Sequence, residues 1–320
     1  MFNELFRMPA PPLDSNLQWR FRFSVLTVIA TLCLITWGGF VTSLYAGMAV
    51  PDWPTSFGSL DPLNPRPEWW RITPVLAEHG HRLWGALVGF LTLILAIWTW
   101  RSDRRPLVRK LAIFALFLVI FQGVLGGLRV VWTSLDLAVV HASVAQLFLA
   151  TLVTLTALHA PSWLRLSVSG RIPETLPRWA LYTSIAIYIQ IFLGALLRQR
   201  IPGMGVEFLP ATLHVLGAIA VTYFIVTTYR RVQNLASDVA PLRTASRFLV
   251  GLLLLQLALG ISSLTIFLIQ GPIHTQPPLH QVLINTSHLL VGALVFASSV
   301  WLTLLAFRSY YHTLDVQKIL

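Results

Sequence analysis

Nine histidines lie along this 320-residue chain, and four of them share a setting. His81, His141, His214 and His288 each fall in the outer part of every second apolar run. His81 is 20 residues before Arg101, His141 is 20 before Pro161, His214 is 16 before Arg230 and His288 is 20 before Arg308. At about 1.5 Å per helical residue, these counts put the four imidazoles at one depth to within about a turn. His280 is 28 residues before Arg308 and ranks below His288. Two histidines fall in each half of the chain. A pair of imidazoles facing each other at one depth suits a haem iron with both axial positions filled. Zinc usually asks for three or four ligands, and a proton relay also uses histidines inside a membrane. His79, His159, His274 and His312 are expected at interfaces or in loops.

Other chemistry gathers near these positions. Glu78 stands three residues before His81 and four before Arg82, so both lie on its helix face. It is either a helix-start carboxylate paired with Arg82 or a carboxylate at the edge of a haem. No equivalent precedes His214, where the sequence reads FLPATL. That asymmetry suggests one reactive haem site and one electron-transfer site. Arg129 and Arg198 close two other apolar runs. They are either ordinary interface residues or guanidinium partners for haem propionates, since arginine binds carboxylates bidentately. A glutamine four residues before a glycine recurs as Gln122/Gly126, Gln190/Gly194 and Gln256/Gly260. The plain reading of this spacing is close helix packing with an amide as interhelical glue.

The elements that must position these residues are membrane helices. The chain is 56% hydrophobic and 11% charged, with a mean hydropathy of +0.71, where a soluble domain carries roughly 25% charged residues. Eight runs approach the ~20 apolar residues of a bilayer span: Phe23–Tyr45, Leu83–Trp100, Leu111–Leu128, Leu137–Leu158, Trp179–Leu197, Ala211–Tyr229, Phe248–Ile269 and Val282–Phe307. The alternating ten-residue segments of a β-barrel are not seen. The fold class is therefore an all-α integral membrane protein, with eight transmembrane helices as two pseudo-repeated four-helix bundles. The expected organisation is an N-terminal segment 1–22, a first bundle 23–158 with a long outer loop 46–78, a linker 159–178, a second bundle 179–307 and a tail 308–320. The outer loop, AGMAVPDWPTSFGSLDPLNPRPEWWRITPVLAE, is either a set of aromatic interface anchors or a lid over a site.

The net charge of +11 does not point to nucleic acid. The basic residues cluster between alternate apolar runs, as the positive-inside rule describes. One side holds Arg7, Arg20, Arg22, the Arg101–Lys110 cluster, Arg165, Arg171, Arg178, Arg230, Arg231, Arg243, Arg247, Arg308 and Lys318. The other holds Arg66, Arg71, Arg82, Arg129, Arg198 and Arg200. Both termini are expected on the first side, which is the cytoplasm, or the matrix in a mitochondrion. Residues 1–22 lack the pattern of a cleaved leader. Cys33 is the sole cysteine, so neither an intrachain disulfide nor a thiolate metal cluster can form.

Several strings carry a family resemblance. VTSLYAGMAVPDWPTSFG, EHGHRLWGALVG and QGVLGGLRVVW, then VVHASVAQLFLA, LHVLGAIAV and TSHLLVGALV, occur in this order. Together they resemble the haem A synthase family over nearly the whole chain. The Glu-x-x-His-Arg motif with its PDWP loop is the specific part. The resemblance implies oxidation of a ring methyl of haem O to the formyl of haem A, destined for cytochrome c oxidase. It implies substrate haem at His81 and His141, haem b at His214 and His288, and Glu78 as the catalytic carboxylate. It further implies haem O synthase as supplier, contact with the cytochrome oxidase assembly machinery, and an electron acceptor of unknown kind. The implied location is the bacterial cytoplasmic (inner) membrane, with the mitochondrial inner membrane as the lesser option. Some members carry cysteine pairs in outer loops. Here Thr55 follows PDWP, so any role of such thiols is absent. The alternative function is a di-haem b-type electron-transfer protein without bond chemistry; a repeat-built transporter ranks below it.

Overall fold

The apolar runs form helices because a chain in lipid must satisfy its backbone groups internally. In a computed structural model, residues 15–65, 68–166, 168, 171–199, 208–270 and 277–317, together with Phe6, are described. Most of the segment 1–14, His274 and the last three residues of the tail lie outside that set. Among the described residues eight helices are long and apolar enough to cross a membrane, so the chain is a multi-pass membrane protein. They are α1 (Ser15–Ser43), α2 (Thr73–Ser102), α3 (Pro106–Val131), α4 (Leu135–His159), α5 (Thr175–Gln199), α6 (Phe208–Leu235), α7 (Ala240–Gln270) and α8 (Leu279–Gln317). No strand occurs among the described residues, only a single bridge between Ser56 and Ser59.

The helices run beyond the hydropathy reading at nearly every end, most of all at the start of α2 and the end of α8. The outer loop gives up its last residues, because Thr73–Glu78 are already helical. Pro74 starts α2 in the first turn, where its missing N–H costs nothing. Glu78 and His81 are therefore inside the helix rather than at its threshold. At the other end, α8 continues through Gln317, so most of the expected tail is helix.

Within each half the helices close a ring. α1 packs on α2 and α4, and α3 on α2 and α4; likewise α5 packs on α6 and α8, and α7 on α6 and α8. The halves meet through α1, α4, α5 and α8. Burial follows this plan: half of the apolar window of α4 (50%) and of α8 (56%) is inside, against 11% for α6 and α7. Large residues such as Ile219, Leu254, Ile261 and Leu268 face outward, as they can only where the solvent is lipid. Lipid is as apolar as leucine, so the bundle is held by close packing and hydrogen bonds rather than by water exclusion. Ser184 bonds Thr303 at 2.9 Å between α5 and α8, and Thr183 bonds Thr228 at 2.7 Å between α5 and α6. A Cβ on Gly39 of α1 would stand 3.1 Å from Thr286 of α8.

The inner ends of α1 to α4 are locked by ions that hydropathy did not reveal. Asp103, with no exposed side-chain surface, pairs with Arg105 at 2.7 Å and Arg20 at 3.3 Å. Arg105 also donates to the Leu158 carbonyl (3.0 Å), and Arg20 to Ser102 Oγ (2.9 Å). His159, expected at an interface or in a loop, is wholly buried here with Nδ1 2.9 Å from Ser24 Oγ. Burial raises the Asp103 pKa, but hydrogen bonds from Arg105 and the charges of Arg105 and Arg20 outweigh it and hold the carboxyl below its ordinary value.

Candidate haem site

Four glycines seat the four histidines. A Cβ on Gly38 would lie 3.2 Å from His81 Cε1, and one on Gly126 3.2 Å from His141 Cε1. In the second half the distances are 2.9 Å from Gly194 to His214 and 3.1 Å from Gly260 to His288. Each imidazole of an even helix thus turns its Cε1 edge to the bare backbone of the helix before it. Two of the glutamines one turn earlier donate to the backbone carbonyl of the seated histidine: Gln122 to His141 (2.9 Å) and Gln190 to His214 (2.8 Å). Gln190 also reaches His214 Nδ1 at 3.1 Å, and Gln256 reaches His288 Nε2 at 3.4 Å. The Gln/Gly spacing, read from sequence as packing glue, also seats a histidine of the next helix. Gly38 escaped the sequence reading because α1 carries no glutamine before it.

The rings of His214 and His288 are 6.3 Å apart, centre to centre, at 78°. Two imidazoles bound through nitrogen to opposite sides of one metal, at about 2 Å per bond, have centres roughly 6 Å apart. The pair therefore fits a haem iron with two axial histidines. His280, by contrast, is exposed on α8.

Around His81 the outer loop is drawn onto the bundle. Buried Glu78 accepts from the Val50 N–H and from Arg82, both at 2.9 Å. Arg82 also donates to the carbonyls of Val50 (2.9 Å), Asp52 (2.7 Å) and Thr55 (3.2 Å). Asp52 turns the loop by accepting from Thr55 Oγ1, Phe57 N (2.7 Å) and Gly58 N (2.8 Å). Slight burial raises its pKa, and these bonds more than offset it, so the carboxyl titrates below its usual range. Trp53 lies over Gly127, where a Cβ would come within 2.1 Å of the indole. The loop thus covers the helix face next to Gly126 and His141. His79, expected at an interface or in a loop, is buried, bonds the Pro62 carbonyl at 2.8 Å and meets Trp69 edge-on at 4.6 Å.

The two arginines are half-buried at the outer level. Arg129 donates to the Gly47 carbonyl at 2.9 Å, and Arg198 to Ser43 Oγ at 2.5 Å, with Thr286 3.1 Å beyond. Among the described residues no carboxylate lies within ion-pair distance of either. Arg198 sits where the halves meet and Arg129 beside the loop, so the two are not equivalent by the repeat.

Fold and site together define a multi-pass helical membrane protein with a facing pair of histidines, His214 and His288, spaced as two ligands of one metal ion would be. Residues 21–213 match the family model described as cytochrome oxidase assembly protein, and the chain belongs to that family. The match runs from α1 into α6 and ends before His214 and His288. Curated relatives include the haem A synthases of Shouchella clausii (32% identical over 182 residues, 56% of this chain and 58% of the relative) and Geobacillus kaustophilus (30% over 196 residues, 58% and 57%). That of Halalkalibacterium halodurans is 35% identical over 139 residues, 42% of this chain and 45% of the relative. The chain matches little more than half the length of these relatives at most.

Proposed function

We propose that the chain is a haem A synthase, oxidising a ring methyl of haem O to a formyl group. The observation that carries this reading is the fourfold seat of histidine on glycine, repeated once per helical hairpin. In this reading residues 23–158 hold the substrate haem between His81 and His141, and residues 179–307 hold a haem b between His214 and His288. Arg129 and Arg198 pair with propionates, which would supply the carboxylates that their guanidinium groups otherwise lack. The bound haem b supplies a one-electron carrier between the substrate and an outside acceptor.

The chain's own part is position and proton handling. Glu78 stands one turn before His81 and keeps a free lone pair on each oxygen after bonding Val50 and Arg82. It takes the proton that leaves the methyl carbon or its attacking water. Arg82 holds that carboxylate and the loop in one geometry. Trp53 and the rest of loop 46–55 keep water from the reacting edge. Supply by a haem O synthase, delivery to the cytochrome oxidase assembly machinery, a bacterial inner-membrane location and cytoplasmic termini complete the proposal. The supporting test is haem content. His214→Ala or His288→Ala should each remove the low-spin haem b, because loss of one axial ligand weakens iron binding. Normal low-spin haem in both variants would contradict the pairing.

A further inference from the structure

The outward face of α7 carries a furrow that the haem reading does not use. It has a volume of about 540 Å³ and is lined by Thr244, Arg247, Phe248, Gly251 and Leu252. These positions follow the i, i+3, i+4, i+7, i+8 spacing of one helix face. Gly251 opens the furrow, since a Cβ built there would meet nothing within 4 Å. Leu252 is buried, and Phe248 stands out from the helix with 59% of its surface exposed. The furrow is graded along the helix. α6 ends at Leu235 and α7 begins at Ala240, so Thr244 and Arg247 lie toward the end of the bundle that also holds Arg230 and Arg231. Phe248, Gly251 and Leu252 reach a turn or more deeper into the apolar span. Arg243 stands four residues before Arg247, on the same face. Among the described residues neither guanidinium forms an ion pair, and no carboxylate lines the furrow. Other arginines of this level are engaged: Arg20 and Arg105 by Asp103, Arg178 by Glu174, and Arg231 over the ring of Trp179 at 4.6 Å.

We propose that this furrow binds an anionic glycerophospholipid, its phosphate on Arg247 and Thr244 and the start of an acyl chain along Gly251. A guanidinium takes two phosphate oxygens at once, and a threonine hydroxyl can donate to a third. Arg243 adds a second positive charge one turn away, which favours an anionic headgroup over a zwitterionic one. A free phosphate would use the polar end alone; a lipid fills the apolar part as well. The charge also argues against a second copy of this chain as the occupant. Two copies meeting here about an axis along the membrane normal would bring residues of equal depth together. Arg243 and Arg247 would then oppose their own counterparts, and like charges set against each other are unfavourable. The ligand that suits both ends of the furrow is one with a negative head and an apolar tail.

The test is native mass spectrometry of the full chain in detergent, titrated with dioleoyl phosphatidylglycerol or with dioleoyl phosphatidylcholine. The wild type should retain one phosphatidylglycerol more tightly than any phosphatidylcholine. Arg247→Gln should weaken that event roughly fivefold and leave phosphatidylcholine unchanged, as expected for one basic residue at an anionic headgroup. Gly251→Leu fills the furrow with a better helix former and should abolish the tight event, with thermal unfolding showing the fold intact. Arg101→Gln, at the end of α2, should bind as the wild type does. Equal retention of the two lipids in the wild type overturns the proposal, as does unchanged phosphatidylglycerol binding in both furrow variants. Displacement of the lipid by millimolar inorganic phosphate would make the site one for a free anion. A dimer that Gly251→Leu dissolves without changing lipid binding would make it a contact between copies, and either result sinks the lipid reading.

Discussion

Glu78 carries two duties that a single substitution can separate. Its carboxylate fastens Val50 and Arg82, and it is the proposed proton acceptor. Glu78→Gln keeps the size and one acceptor oxygen but removes the charge. If the carboxylate is only a helix-start partner, the change costs under about 1 kcal/mol and spares activity. The account predicts instead a fall of roughly 10²-fold or more in the haem A to haem O ratio, with the haem b spectrum intact. The check is pigment extraction from membranes with equal protein level, and an unchanged ratio removes Glu78 from the mechanism. At this scale much was legible. The spacing of His81, His141, His214 and His288 and the Glu78/Arg82 offset are helical periodicities, which sequence reports directly. Gly38 was not legible, because a glycine in an apolar run looks like any other. His79 and His159 were misplaced for a related reason: burial at a helix end depends on what covers it.

At the scale of the element, the glycine seats predict a position-specific response. Gly194→Ala would place a Cβ 2.9 Å from His214, closer than such contacts tolerate, whereas Gly251→Ala, also within a helix, meets nothing within 4 Å. Gly194→Ala should lower or distort the second-half haem signal, and Gly251→Ala should leave the optical spectrum unchanged. Equal spectra would dissolve the seat. The inner lock predicts an effect on stability. Asp103→Asn leaves Arg20 and Arg105 without their buried counter-charge, and breaking such a pair costs about 3–5 kcal/mol. The folded pKa of Asp103 lies below its ordinary 3.8. Its contribution to stability is therefore fully present above that value and lost as pH falls through the lower folded value. Thermal unfolding in detergent should show the wild-type advantage over Asp103→Asn unchanged from pH 7 to 5 and shrinking below pH 4. An advantage that fades between pH 7 and 5 would assign it to another group. Hydropathy located the eight apolar helices of the described residues but set most of their ends short. Ends are decided by Pro74, by the Asp103 cluster and by the outer loop, which are not apolar features.

At the scale of the whole molecule, an even number of spans puts both termini on one side. Under the proposed topology, the arginines of the short loops place that side in the cytoplasm. Reporter tags at either end should both read cytoplasmic, and a periplasmic C-terminal tag would break the eight-span topology. Contacts close a ring within α1–α4 and another within α5–α8, while α1, α4, α5 and α8 also join the halves, and no composition shift marks a division. The Gln/Gly recurrence hinted at it because each ring reuses the same seat. The measurement that bears most directly on the central claim is conversion itself. Membranes that carry this chain and a haem O source, with no other route to haem A, are extracted and the pigments identified by mass. The account predicts haem B together with formyl-bearing haem A; haem O left unconverted while both histidine pairs hold haem would contradict it.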